Sequence, residues 1–167
     1  MGATHAHHDA WKLAAGAEPK WHALSSAVEP PARFNAFIAP ASAGTYRLFG
    51  GQRTDVGPNE SLGDVWAADL HNENVWTLQS NDGPTRRDAA IAYAALDDRL
   101  FVHGGASTSA NAELSNIHSD LWMFTADQWT NISDKNNGAP TLRRHAALWD
   151  PINESLFCLL YTSPSPR

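Results

Sequence analysis

The chain has 167 residues, 43% of them hydrophobic, and a formal net charge of −6 at pH 7. This acidic balance excludes a broad phosphate-binding surface, because proteins that bind nucleic acid concentrate Lys and Arg. No stretch approaches the roughly 18 apolar residues that span a bilayer, and one cysteine cannot form an internal disulfide. We expect a globular chain about one domain long, with neither nucleic acid nor a membrane as its partner.

The segment 1–29 contains two short β-like stretches, marked by Asp9, Trp11 and Trp21. The same three landmarks recur further along the chain: Asp64, Trp66 and Trp76, then Asp120, Trp122 and Trp129. Asp64, Trp66 and Trp76 follow Asp9, Trp11 and Trp21 at one common spacing. Asp120 and Trp122 follow Asp64 and Trp66 at nearly the same spacing. A regular period of about 55 residues indicates a structural repeat.

A second set of markers precedes these landmarks within each unit. A Pro-x-x-Arg-x-x-Ala pattern opens the units: Pro30, Arg33 and Ala36, then Pro84, Arg87 and Ala90, then Pro140, Arg143 and Ala146. A glycine pair follows in two of them: Gly50 and Gly51, then Gly104 and Gly105. Each pair ends an apolar run, where glycine permits the positive φ and close backbone approach of a sharp turn.

Each unit contains four short β-like segments, for example AAIAYAAL, RLFVHGG, DLWMFTA and QWTNIS. They are rich in β-branched or aromatic residues and are bounded by Gly, Pro, Asn or Asp, which is typical of strands. Four antiparallel strands in about 55 residues, repeated along the chain, describe a β-propeller blade. The paired tryptophans are expected to fill the space between neighbouring blades.

The order and spacing of Gly-Gly, Asp-x-Trp and Trp resemble kelch repeats, which build β-propellers. The resemblance covers roughly residues 9–157. It implies an all-β fold, an incomplete kelch-type propeller arc of about two full four-stranded blades and two partial blades. The expected divisions are outer strands of a partial blade at 1–29, complete blades at 30–82 and 83–138, and the inner strands of a truncated blade at 139–157.

The C-terminal stretch, CLLYTSPSPR, fits none of these patterns. When Leu100 is aligned with Leu156, the third unit matches the second as far as Phe157, and the match fails at Cys158. The segment 158–167 looks like the translation of an adapter used in DNA-sequencing libraries. We therefore treat it as a non-native tail and expect the natural repeat to continue past Phe157.

A histidine-rich stretch near the start has the residue types of a metal site: His5, His7 and His8 with Asp9. By register, however, His7 corresponds to His118, because each lies two positions before the Asp of Asp-x-Trp. The stretch is therefore predicted to be the entry to a strand, and we expect neither a metal site nor a cofactor.

The sequence contains no Gly-x-Ser-x-Gly, Walker, His-Glu-x-x-His or Cys-His motif. Some kelch-like propellers are enzymes, and galactose oxidase resembles this fold but needs a Cys–Tyr cross-link and copper ligands. The one cysteine here lies in the segment that we treat as a tail. We therefore predict no catalytic residue and no enzymatic activity.

Six arginines are candidates for a partner-binding face: Arg33, Arg53, Arg86, Arg87, Arg143 and Arg144. They stand at the head of the innermost predicted strand or in loops at the same end, which the resemblance implies is the usual partner-binding surface. Arginines there would hold carboxylates of a partner. Recurrence at one register favours a structural role for the repeated Arg, in which it pairs with an Asp or a backbone carbonyl between blades. Three non-repeating loops are better candidates for specificity: QRTDVGPNES, ASTSANAELSN and SDKNNGA.

These patterns predict a non-catalytic protein-binding scaffold that presents loops on one propeller face. The alternative is a fragment of a propeller enzyme or sugar-binding protein of galactose-oxidase-like type. The N-terminus lacks the basic start and apolar core of a signal peptide, so a cytoplasmic location is expected, with secretion as the alternative. The sequence leaves the oligomeric state open.

Overall fold

The computed structural model describes residues 9–53, 60–71, 75–108, 115–133 and 139–159. Within these ranges the chain forms fourteen β-strands, one 3₁₀ turn at Ser42–Gly44 and no α-helix. The strands are β1 (Ala10–Ala14), β2 (Lys20–Leu24), β3 (Phe37–Pro40), β4 (Thr45–Arg53), β5 (Glu60–Asp69), β6 (Trp76–Ser80), β7 (Ala90–Ala94), β8 (Arg99–His103), β9 (Ala106–Thr108), β10 (Ser115–Ile117), β11 (Leu121–Thr125), β12 (Gln128–Asn131), β13 (Ala146–Asp150) and β14 (Ser155–Leu159).

Two four-stranded antiparallel sheets form the complete blades. The first blade has the order β3-β4-β5-β6 and the second has the order β7-β8-β11-β12. β9 and β10 form a small hairpin within the connection from β8 to β11, and the two-stranded sheets β1-β2 and β13-β14 flank the complete blades. The innermost strand β7 lies beside β3 on one side and β13 on the other. The expected all-β arc of two complete and two partial blades is confirmed.

The Asp-x-Trp landmark makes the same hydrogen bond in all three copies. The indole Nε1 donates to the carboxylate Oδ2 two positions earlier: Trp11 to Asp9 at 2.8 Å, Trp66 to Asp64 at 2.6 Å and Trp122 to Asp120 at 2.7 Å. The side chains of residues i and i+2 lie on the same face of an extended chain, which brings the two groups together. The repeat therefore preserves a contact as well as a residue pattern.

The two Gly-Gly pairs lie where one blade meets the next: Gly50 and Gly51 at a bulge within β4, and Gly104 and Gly105 directly after β8. Gly50 has φ +59° and Gly104 has φ +63°, conformations in which a side chain is strained. A Cβ at Gly50 would lie 2.5 Å from the carbonyl oxygen of Arg86, and one at Gly104 would lie 2.5 Å from that of Leu142. Glycine thus lets the second strand of one blade approach the backbone that leads into the next.

The hydrophobic core lies in the seam between the two complete blades. Phe49 and Val65 of the first blade are completely buried beside Leu100 and Val102 of the second. The ring of Trp129 packs on Phe49 with centroids 5.5 Å apart. Burial of each large apolar side chain contributes about 1.5–3 kcal/mol, so this seam holds the two blades together.

The final strand has the bounds that the repeat predicts: with Leu100 aligned on Leu156, β14 (Ser155–Leu159) coincides with β8 (Arg99–His103). β14 includes Cys158 and Leu159, which pair with Ala147 and Ala146 of β13. The residue match to the second unit ends at Phe157, but the strand itself continues through Cys158 and Leu159. Strand pairing uses backbone groups that every non-proline residue carries, so it tolerates side chains that break the repeat.

Candidate functional site

The connections from second to third strands, and those between blades, lie at one end of the arc because neighbouring strands are antiparallel. We call this end the loop face, and its described residues are 25–36, 52–53, 60–61, 81–89, 104–108, 115–120, 132–133 and 139–145. The centres of the three loops predicted to carry specificity, at 54–59, 109–114 and 134–138, lie outside the described residues.

Backbone hydrogen bonds join the bases of these loops from blade to blade. The amide of Gly51 donates to the carbonyl of Arg86 at 2.8 Å, and that of Gly105 donates to the carbonyl of Leu142 at 2.7 Å. The hydroxyl groups of Ser61 and Thr108 add a side-chain bond of 2.9 Å between the two blades. The loop bases are thus fixed relative to one another.

Arg33 and Arg86 form ion pairs inside their own blades. The guanidinium of Arg33 binds both carboxylate oxygens of Asp64 at 2.7 Å and donates to the Gly50 carbonyl at 2.9 Å. Arg86 binds Asp120 at 2.6 Å. The arginine side chains are only 6% and 9% exposed, so they are not available to a partner. The structural role that the recurrence favoured is the one these two residues adopt.

The structure also changes, by one residue, how the inner strands of the two complete blades align with each other. Phe37 pairs with Phe49 in the first blade, and Ala90 pairs with His103 at the equivalent place in the second. This register makes Arg86, rather than Arg87, the counterpart of Arg33. The Pro-x-x-Arg spacing suggested the opposite because Arg86 and Arg87 are adjacent in the sequence.

The connections that lead into the innermost strands are joined to one another by backbone hydrogen bonds. Asn35, Asp88 and Arg144 occupy equivalent positions with φ of 54°, 57° and 58°. Their backbones form a chain, in which Asp88 N donates to Asn35 O at 3.3 Å and Arg144 N donates to Asp88 O at 2.8 Å. The sequence did not single out Asn35 or Asp88, because their common feature is a left-handed backbone rather than a shared side chain.

The remaining candidate arginines differ in how far they reach solvent. Arg87 binds the carboxylate of Asp88 at 3.2 Å and is 14% exposed. Arg144 also contacts Asp88, at 3.4 Å, but is 66% exposed. Arg143 is exposed beside it, and Arg53 is half-buried at the end of β4. Arg143 and Arg144 therefore form the accessible part of the predicted set.

A histidine pair that the sequence did not predict lies in the seam between β8 and β13. His103 Nδ1 and His145 Nε2 are 3.0 Å apart, and each residue is 5% exposed. Burial lowers the pKa of His145 to about 4, helped by the nearby His103, and burial also lowers the pKa of His103 against the opposing effect of Asp120. Both rings are therefore neutral at pH 7.

Cys158 completes a cluster of metal-binding residue types with this pair. One ligand atom from each of His103, His145 and Cys158 lies within 4.8 Å of the others. The strand registers place His103 at the position of Phe49 and His145 at the position of Ala89, and both Phe49 and Ala89 belong to the buried core of the first seam. We therefore regard the histidine pair as a packing contact that replaces a phenylalanine–alanine pair. The histidine stretch at residues 5–8 lies outside the described residues.

Together, the radiating four-stranded sheets and the inner strands side by side define a β-propeller-like protein. A solved structure of YjhT is similar, with a TM-score of 0.62 and 15% identity over 84% of this chain and 48% of that one. The chain thus spans about half the length of this neighbour. No family model and no curated protein matches the sequence. In the described residues, no helix is long and apolar enough to cross a membrane.

Proposed function

We propose that the chain is part of a kelch-type propeller that works in the cytoplasm as a non-catalytic protein-binding scaffold, and that its loop face binds the partner. The observation that carries the proposal is the set of hydrogen bonds between blades beneath the loops, from Gly51 to Arg86 and from Gly105 to Leu142. A base of this kind holds unrelated loops at constant separation. Preorganised loops lose less conformational entropy on binding.

Exposed arginines on the loop face indicate the chemistry of the partner. Arg143 and Arg144 lie side by side, and the guanidinium of Arg144 is only partly engaged by Asp88. Arginine binds carboxylates through two parallel hydrogen bonds. We therefore expect an acidic segment of a protein partner to bind here, with Arg53 and Arg87 nearer the loop bases.

The test compares partner binding by the original chain, an Arg143→Ala/Arg144→Ala double variant and a Lys20→Ala control. Lys20 is exposed at the start of β2, beside the connection from β1, which lies at the opposite end of the arc. We expect the double variant to lose binding of an acidic partner at least about tenfold, because two charge-assisted contacts are removed. The control should bind as the original chain does, and equal binding by all three proteins would contradict the assignment of the face.

A further inference from the structure

One short segment leads the chain into β13, and backbone hydrogen bonds fix it to the second blade. The amide of Gly105 donates to the carbonyl of Leu142 at 2.7 Å, and the amide of Leu142 donates to the carbonyl of His118 at 3.1 Å. Within residues 142–145, only His145 is buried. We call residues 142–145 the entry segment, and its one buried side chain is half of the histidine pair.

The seam between the two complete blades has an equivalent segment, residues 86–89, with a different buried side chain. There the amide of Gly51 donates to the carbonyl of Arg86 at 2.8 Å. Ala89 takes the position of His145 and is completely buried within the apolar core. The two segments therefore share a backbone contact, but the entry segment is held by a ring that can take up a proton.

The hydrogen bonds around the histidine pair fix where its protons lie. The ring of His103 donates to the backbone of Ser119, and a neutral imidazole has one donor and one acceptor. His103 Nδ1 is therefore the acceptor for His145 Nε2, which lies 3.0 Å away. His145 Nδ1 is buried and has no hydrogen-bond partner among the described residues. An added proton would either enter at this Nδ1, where no acceptor faces it, or break the bond between the rings. The closed seam therefore keeps the pair neutral.

The charged and titratable groups near the pair include Arg86, His118, Asp120 and Cys158. Asp120 favours a protonated His103, but its carboxylate is already bound by Arg86 at 2.6 Å. Burial raises the pKa of the Cys158 thiol, so the thiol stays neutral in acid. Burial and Arg86 lower the pKa of His118, whose carbonyl also holds the entry segment. His118 therefore acts in the same direction as the pair.

The entry segment also carries two exposed arginines of the loop face. Arg143 and Arg144 lie within it, and the guanidinium of Arg144 contacts Asp88 at 3.4 Å. We propose that uptake of protons by His103 and His145 releases the entry segment from the second blade in mild acid, and that both arginines move away with it. The release itself does not depend on the proposed partner, whereas a partner that binds these arginines would be bound less tightly as the pH falls.

The direction of the effect follows from where the histidines take up protons in each state. A histidine that release exposes to water is protonated near about pH 6.5. In the closed seam, burial lowers the pKa of His145 to about 4 and also lowers that of His103. The released state therefore binds more protons between these values. The equilibrium constant for release should rise by up to about tenfold per pH unit for each histidine, and it should stay constant above about pH 6.5.

Hydrogen–deuterium exchange measures the release without a partner. The entry segment and residues 86–89 would be compared in the same chain at about pH 7.5 and about pH 5, after correction for the intrinsic exchange rate at each pH. We expect the protection of the entry segment to fall at least about tenfold more than that of residues 86–89. Equal losses at both segments would indicate unfolding of the whole chain and would overturn the proposal, as would an entry segment whose protection does not change.

Matched variants test whether the histidines cause the response. His103→Phe/His145→Ala copies the other seam, and its two segments should respond to pH alike. His145→Gln keeps an amide donor but removes one protonation site, so it should respond less than the original chain. Cys158→Val introduces the residue that the second unit has at this position, Val102, and should keep the full response. Circular dichroism would verify that the variants fold. A full response in the double variant, or its loss in Cys158→Val, would overturn the proposal.

Discussion

At the scale of single residues, the contact among Arg33, Asp64 and Trp66 explains why the repeat keeps these residue types. One carboxylate accepts hydrogen bonds from the guanidinium and from the indole, and all three groups are largely buried. Burying an ion pair is costly unless its remaining hydrogen bonds are satisfied, and here Gly50 and Trp66 satisfy two of them. Removing one of the three side chains is therefore expected to destabilise the fold strongly.

We expect Asp64→Ala to lower the free energy of unfolding by about 3–5 kcal/mol, because Arg33 would be left buried without its counter-ion. The matched control is Asp9→Ala, which removes the equivalent bond to Trp11 at an exposed site and should cost less than about 1 kcal/mol. Urea denaturation of the two variants provides the comparison. Similar losses would show that burial of Arg33 does not determine the effect.

At the scale of strands, the glycine pairs control how closely consecutive blades approach. The second strand has a bulge at Gly50 and Gly51, and the backbone of the next blade passes directly against this bulge. The same geometry at Gly104 and Gly105 lets the backbone at Leu142, which leads into β13, approach the second blade. Sequence spacing identified these glycine pairs, whereas the strands they bring together became evident only from the packing.

Gly50→Ala should destabilise the chain by at least about 2 kcal/mol, because its Cβ would collide with the Arg86 carbonyl while φ is positive. Gly16→Ala is the control, since a Cβ at Gly16 would meet no atom within 4 Å. We expect a change of less than about 0.5 kcal/mol for the control. Thermal and urea unfolding would measure both, and a neutral Gly50→Ala would refute the close approach.

At the scale of the whole molecule, stability comes from the seams between blades, and the seams differ in chemistry. The seam between the two complete blades buries Phe49 and Ala89 in one apolar cluster, whereas the seam that leads to β13 buries His103 against His145. The histidine seam is therefore the one that responds to pH. The titratable groups near it include His118, whose pKa is also lowered by burial, together with Asp120 and Cys158.

The chain should lose about 3 kcal/mol of stability as the pH falls from 6.5 to 4. An unfolded histidine takes up its proton near pH 6.5, but His145 does so only at about 4, so between these values the unfolded state binds more protons. Unfolding in the presence of a chelator measures the effect. A His103→Phe/His145→Ala variant, which copies the other seam, should remain stable at pH 7 and lose most of this pH dependence. An unchanged pH dependence would contradict the assignment.

Much of the architecture could be predicted from the sequence, because strands and turns leave local signals. The recurrence of Asp-x-Trp, Trp and Gly-Gly predicted four-stranded units, and the strands from Phe37 to Asn131 follow that division. Partner-facing residues were harder to predict. Arg33 and Arg144 look alike in the sequence, yet one is buried on Asp64 and the other is largely exposed.

The sequence by itself determined the repeating unit, its all-β character and the residues that mark its turns and buried faces, since each depends on neighbours along the chain. Only the tertiary structure decided that Arg86 is the counterpart of Arg33 and that His103 meets His145. These outcomes depend on contacts between residues distant in sequence. The packing of one blade against the next sets such contacts, and no local pattern encodes it.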